Sequence, residues 1–231
     1  MNGILLVDKP KGWTSFDVVN YVRKIVAQSL GKKPKQLKVG HAGTLDPLAT
    51  GLLVLLIGKE YTRRASELTK LDKTYEATIR FGETSTTGDD EGEKTQVSDK
   101  KPSRLGIKSA FTKLTGEIMQ TPPIYSAMKV DGQRAYKLAR EGKEVKLKPR
   151  PVKIYRLELT KYSYPDAQFI THVSSGTYIR SLVEDIGQEL KTGAYMTDLR
   201  RTQVGQFDIK DTQAVENLSA EIIYNNIQTL D

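Results

Sequence analysis

The sequence contains no cysteine and only two histidines. Disulfides, thiolate metal sites and cysteine nucleophiles are thereby excluded, and little is left from which to build a zinc or iron centre. Long apolar runs are missing as well. Leu52 to Ile57 falls far short of the roughly 20 residues that span a bilayer, and Ile4 to Val7 is too short for a signal-peptide core. These absences predict a cytoplasmic protein that does not enter a membrane. Any catalysis has to run on Asp, Glu, Tyr, Lys or Arg.

What is present is enough apolar material for a core: 38% of the 231 residues are hydrophobic, so disorder is not expected. The net charge is +8, and it is concentrated. Between Lys129 and Arg156 stand ten Lys/Arg against three Asp/Glu, and GKKPKQLK is a second, smaller basic stretch. Concentrated positive charge fits a polyanionic partner, nucleic acid being the usual one in the cytoplasm. The alternative is a solvated lysine-rich surface.

No repeat, low-complexity tract or linker divides the chain, and a single domain, 1–231, is expected. GILLVD reads as a short buried strand. TSFDVVNYVRKIVAQSL reads as a helix with Phe16, Val19, Val22 and Val26 on one face, opened by Thr14 and Asp17 at capping-box spacing. LLVLLI reads as a strand buried on both faces, and KEYTRRASELTK as a surface helix. KTYEATIRF alternates, placing Tyr75, Ala77, Ile79 and Phe81 together. GETSTTGDDEGE is a polar loop, and SRLGIKSAFTKLTG a helix closed by Gly116. IYSAMKV is expected to be a strand ending at the Asp131-Gly132 turn, followed by a short basic helix, QRAYKLARE. Extended segments run through VKIYRLEL and AQFITHVS. In TYIRSLVEDIGQEL, Ile179, Leu182, Val183, Ile186 and Leu190 point inward. Strands and helices alternate irregularly and hairpins recur, which predicts an α+β fold around a mixed, largely antiparallel central sheet flanked by helices.

One stretch carries more than structure. In GHAGTLDPLATGLLVLLIG, Asp46 lies just before a buried strand, and Pro47 holds it in extended geometry. Gly40, Gly43 and Gly51 allow tight turns or close approach to a ligand. A carboxylate on such a loop resembles a placed nucleophile, although TLDP is also an ordinary Asp-Pro turn. His41 reads as a hydrogen-bonding loop residue. Arg180 falls in the first turn of its helix, where it either pairs with Glu184 or holds a buried acid ionised. Tyr75 and Tyr178 are core or rim tyrosines, or base-stacking ones in an RNA cleft.

GHAGTLDPLATGLLVL closely resembles the aspartate motif of the TruB family of tRNA pseudouridine synthases. LLVDKPKGWTSFDVV, KTYEATIRFGETSTTGDDEG, SSGTYIRSL and DLRRTQVGQF resemble that family's other motifs, in family order. The resemblance implies the pseudouridine synthase fold, with Asp46 as nucleophile, Arg180 as its ion-pair partner and Tyr75 as the residue that stacks on the base and accepts a proton. It implies that His41, Tyr178 and Leu199 contact the flipped uridine or hold the RNA open, and that Asp89 joins the network at Arg180. Breaking the C1′–N1 bond of uridine and rejoining the base through C5 needs neither metal nor cofactor. The implied partner is the T stem-loop of tRNA, modified at position 55. No membrane and no obligatory protein partner are expected, and a monomer is. Many family members carry a C-terminal RNA-binding PUA domain; the stretch after Phe207 is too short for that barrel, so none is expected here. A catalytically silent RNA-binding or RNA-folding protein, and an enzyme guided by a partner ribonucleoprotein, are the competing readings. Asp46, Tyr75 and Arg180 together argue against the silent one.

Overall fold

The structure is a computed structural model that describes residues 1–126, 128–130, 132–143, 145 and 147–229, and the side chains within those ranges except at 129, 130, 134, 136 and 140. In chain order the elements are β1 (Gly3–Lys9), α1 (Ser15–Ser29), β2 (Val39–Ala42), β3 (Thr50–Ile57), α2 (Lys59–Arg63), α3 (Ala65–Thr69), β4 (Lys73–Phe81), β5 (Glu83–Ser85), β6 (Lys94–Gln96) and α4 (Arg104–Leu114). There follow β7 (Gly116–Gln120), β8 (Lys129–Val130), β9 (Gln133–Arg134), α5 (Ala135–Arg140), β10 (Arg150–Ser163), β11 (Asp166–Val173), α6 (Ile179–Leu190), β12 (Ala194–Val204), β13 (Phe207–Asp208), β14 (Gln213–Ala214) and α7 (Ala220–Asn226). This is the expected α+β class with a mixed, largely antiparallel sheet. Residues 1–75 and 199–231 form one compact unit and residues 76–198 a second. β4 and β12 carry the chain from one to the other. Among the described residues no helix is long and apolar enough to cross a membrane.

In the first unit β1 lies between β14, which it pairs in parallel, and β3, which it pairs antiparallel from Gly3↔Ile57 to Lys9↔Gly51. The other edge of β3 is shared. β2 pairs with its C-terminal half, and β12 runs parallel to it at Arg200↔Thr50 and Arg201↔Gly51. A strand paired on both edges is buried on both faces when each face is covered, which explains the unbroken LLVLLI. Leu53, Leu55 and Ile57 pack with Val18, Val22 and Val26 of α1. Leu52, Val54 and Leu56 pack on the other side with Tyr61, Leu68, Val204 and Phe207.

The capping box is present: Thr14 Oγ1 accepts from the Asp17 N–H at 3.1 Å, and Asp17 accepts from the Thr14 N–H at 2.8 Å. The expected face of α1 needs one correction. Phe16 is 58% exposed, with the Arg23 guanidinium 5.7 Å over its ring, and the buried stripe starts at Ser15 and Val18 instead. A loop backbone packs against Ser15 and needs a hydroxyl there, which rotates Phe16 outward. The single helix expected over residues 59–70 is two, broken at Arg64, whose φ of −84° and ψ of 3° leave the helical region.

In the second unit β7 and β11 flank β10, all antiparallel. The expected polar loop after Phe81 is framed by a small β5–β6 hairpin. Among the described residues of the strand expected over IYSAMKV, which leave out Ala127, only Lys129–Val130 is a strand, in a two-residue ladder with β9. Pro122 and Pro123 have no N–H to donate, so the β7–β10 ladder stops at Gln120. Asp131 of the expected turn lies outside the described residues, as do Glu144 and Lys146 of the basic stretch. α6 is as expected, with Ile179, Leu182, Val183, Ile186 and Leu190 all buried, but Arg180 and Ser181 are buried beside them.

Candidate active site

Asp46 stands in a short loop between β2 and β3, and several backbone groups on either side of it are tied down. Its own carbonyl accepts from the Ala49 N–H at 3.1 Å, closing a turn over the proline. Ser15 Oγ both accepts from the Leu45 N–H at 2.8 Å and donates to the Leu45 carbonyl at 3.0 Å. The Pro47 carbonyl accepts from the Gly12 N–H at 2.8 Å and from Lys9 Nζ at 3.4 Å. Arg201 donates to the Gly43 carbonyl at 3.0 Å and to the Leu52 carbonyl at 2.8 Å, tying the two ends of the loop together. Gly43 has φ +89°, and a side chain there would press on the Arg201 guanidinium. The half-buried carboxylate therefore projects from a backbone with little freedom.

Three cations that the sequence reading passed over lie beneath this loop: Lys9, Lys73 and Arg201, each at least nine-tenths buried. Lys9 Nζ also donates to the carbonyls of Trp13 at 2.6 Å and Pro10 at 2.9 Å. Burial pulls its ammonium down to about 8, against the attraction of Asp46, and the Arg201 charge adds to the fall. Lys73, donating to the carbonyls of Thr69 and Leu71, is likewise lowered to about 8 by burial and by Arg201. A buried cation is tolerated when oxygens surround it, and here the oxygens are backbone carbonyls. The faint signal in the sequence is a lysine or arginine at the inward position of an otherwise apolar strand.

The other expected residues of the first unit are His41, Tyr75 and Leu199. His41 lies on β2 opposite Leu55. Its Nδ1 is buried with no hydrogen-bond partner among the described residues, and burial together with Arg201 lowers its pKa, so the ring is neutral at physiological pH. Tyr75 is buried on β4 on the face of Ala77, Ile79 and Phe81, as the alternation predicts. Leu199 is buried on β12, and its carbonyl accepts from Thr50 Oγ1 at 3.4 Å.

In the second unit the structure brings Asp89 and Arg180 together, as expected. Asp89 Oδ2 is 3.5 Å from Arg180 Nη1, both side chains being more than nine-tenths buried. Asp89 Oδ1 accepts from the Thr87 hydroxyl and from the Glu91 N–H at 3.1 Å. Arg180 further donates to the carbonyls of Thr87 at 3.0 Å and Tyr125 at 2.9 Å. One turn on, burial and the neighbouring Asp185 raise the Glu184 carboxyl, while the Arg180 charge opposes them. Tyr178 is the N-cap of α6, with the Arg150 guanidinium 5.2 Å over its ring.

This geometry can be set beside known proteins. The family model described as TruB family pseudouridylate synthase (N terminal domain) matches residues 29–179, and that described as tRNA pseudouridylate synthase B C-terminal domain matches residues 180–230. Proteins named tRNA pseudouridine synthase B from Arthrobacter sp. (strain FB24) and Aquifex aeolicus (strain VF5) are 44% and 42% identical. Each alignment covers 96% of this chain, with 72% of the first relative and 75% of the second. Among solved structures, a chain of a Cbf5–Nop10–Gar1 complex aligns at 28% identity with a TM-score of 0.74, over 98% of this chain and 60% of that one. A chain of an H/ACA RNP bound to a substrate RNA containing 2′-deoxyuridine aligns at 28% identity with a TM-score of 0.67, over 94% and 52%. This chain thus spans less than two thirds of those two solved chains. With family models matching nearly its whole length and curated relatives above 40% identity, the chain belongs to the TruB family of pseudouridylate synthases.

Proposed function

We propose that this protein isomerises uridine to pseudouridine in tRNA, at position 55 of the T loop, with Asp46 as the nucleophile. The observation that carries the reading is the clamped loop: a carboxylate whose flanking peptides are held by Ser15, Lys9 and Gly12 is a positioned group, and position alone is worth several kcal/mol in favourable cases. The names of the curated relatives support the substrate class.

In this reading the C1′–N1 bond breaks, the base turns, and a C1′–C5 bond forms. The Asp46 carboxylate either attacks C1′ or takes a proton on a glycal route. The Tyr75 hydroxyl relays the proton that leaves C5, its oxygen accepting that proton as its own passes on, so that N1, freed from the sugar, ends protonated. Arg180, braced by Asp89, supplies the cation that keeps the nucleophile ionised. His41, Tyr178 and Leu199 hold the flipped uridine or the opened loop, and the basic stretch from Lys129 to Arg156 grips phosphates around it. The enzyme works without a protein partner.

The test is a modification map of unmodified tRNA incubated with the purified protein alone. Pseudouridine at position 55 and nowhere else is expected. Tight binding without isomerisation would leave the RNA-binding reading, and turnover only on addition of a cell extract would favour a guided enzyme.

A further inference from the structure

Tyr178 caps α6 without a capping side chain. A phenol cannot fold back onto the first N–H groups of its own helix, so this end has to be secured from elsewhere. Gln120, the last residue of β7 and 1% exposed, secures it from both sides of one residue. Its Oε1 accepts from the Tyr178 N–H at 2.8 Å, and its Nε2 donates to the Tyr178 carbonyl at 3.1 Å. That carbonyl also receives the first helical bond, from the Leu182 N–H at 3.1 Å.

Directly across the ladder from Gln120 stands Arg150, the first residue of β10. It is the same Arg150 whose guanidinium lies over the Tyr178 ring, and it donates to the carbonyl of Gly176 two residues upstream. One cross-strand pair therefore holds both parts of the tyrosine, Gln120 the backbone and Arg150 the ring. The next residues of α6 are tied to the segment that follows Gln120: Ser181 Oγ donates to the Thr121 carbonyl at 2.8 Å, and Arg180 to that of Tyr125.

A helix end needs only one acceptor at its N-cap, and serine or aspartate supplies that locally. Gripping both peptide groups of Tyr178 while covering its ring does more, because it fixes the direction in which the side chain leaves the backbone. We infer that Gln120 and Arg150 are positioning residues for the pseudouridylation, setting the Tyr178 ring and, through the first turn of α6, the Arg180 guanidinium. The inference rests on the function proposed above, and neither residue stands in any of the motifs that carry the family resemblance.

The experiment compares wild type with Gln120→Met, Gln120→Glu and Arg150→Lys. It reads the single-turnover rate at saturating enzyme, the Kd for tRNA, and the fluorine resonance of Tyr178 in protein labelled with 3-fluorotyrosine, assigned through Tyr178→Phe. All rates are taken well below each variant's Tm. Gln120→Met and Arg150→Lys should slow the saturated rate by about tenfold or more, since small displacements of a positioned group are costly. Their tRNA Kd should stay within about threefold of wild type, and the Tyr178 resonance should shift or broaden. Gln120→Glu can donate to the Tyr178 carbonyl only when protonated, so its rate relative to wild type should recover as the pH falls. Arg150→Lys keeps the charge at a half-buried site and carries the test if Gln120→Met does not fold. Saturated rates within about threefold of wild type, whatever the loss of Tm, would reduce Gln120 to a structural cap and overturn the inference. If wild type itself makes no pseudouridine, the proposed function fails separately, and an unmoved Tyr178 resonance in the variants still sinks the positioning role.

Discussion

Asp46 sits in an Asp-Pro turn closed by the Ala49 N–H, and in the function proposed above that turn is what places its carboxylate. Asp46→Asn preserves that turn and removes the charge. Stability and tRNA binding should stay near wild type while pseudouridine formation falls at least about a thousandfold, roughly 4 kcal/mol of barrier, measured by single turnover. The glycines and the proline made this loop legible in the sequence. The lysine beneath it was not, because a lysine after an apolar strand looks like the start of a surface turn. Lys9 carries a pH signature. Its folded pKa of about 8 lies below the ordinary 10.5, so between those values the unfolded chain binds the extra proton, and stability contributed through this group rises with pH. Comparing urea midpoints at pH 7.5 and 9.5, the advantage of wild type over Lys9→Met should grow by at most about 2 kcal/mol. An unchanged advantage would show that Lys9 stays charged when buried.

At the scale of elements, the first turn of α1 and the loop carrying Asp46 are one construction. Thr14 caps the helix and Ser15 holds Leu45, so the same two residues begin the helix and brace the loop. Ser15→Ala leaves both backbone groups of the buried Leu45 without that partner. It should cost about 1 to 3 kcal/mol in unfolding free energy and slow the saturated rate by about tenfold. A stability loss with an unchanged rate would mean the loop keeps its shape unaided. The amphipathic stripe of α1 was legible from Val19 onward and failed at Phe16, because periodicity assumes a uniform apolar neighbour and the neighbour there is backbone. The alternating β4 and the apolar β3 were legible because burial on one or both faces writes itself into composition. The segment after Gln120 misled for the opposite reason: its residues favour a strand, and its two prolines leave no ladder to join. Gln120 itself was invisible, since a glutamine at a strand end has no pattern until its partner is known.

For the whole molecule, net charge was the plainest signal in the sequence, and its distribution predicts how binding responds to salt. Lys137 and Arg140 belong to α5, and Lys143 follows it, paired at 2.7 Å with Glu141 and exposed. Replacing all three by neutral residues should flatten the log Kd against log salt slope by about 2 to 3, at 0.7 to 0.9 per phosphate released, without changing which uridine is modified. An unchanged slope would place the strip away from the RNA. A different consequence follows from how the first unit is assembled from two stretches of chain. β1 is bracketed by β3 and β14, and the guanidinium that spans the Asp46 loop comes from residue 201. The ribosome makes Asp46 early, yet its loop has to wait for residues 199–214 before it is held. A ribosome-bound chain ending at residue 198, followed by a linker long enough to clear the exit tunnel, should therefore be cut by protease throughout residues 1–75 while 76–198 resist, and protection of the early stretch should appear only once β14 has emerged as well. Translation itself would then keep the Asp46 loop unbraced until the second unit has been made.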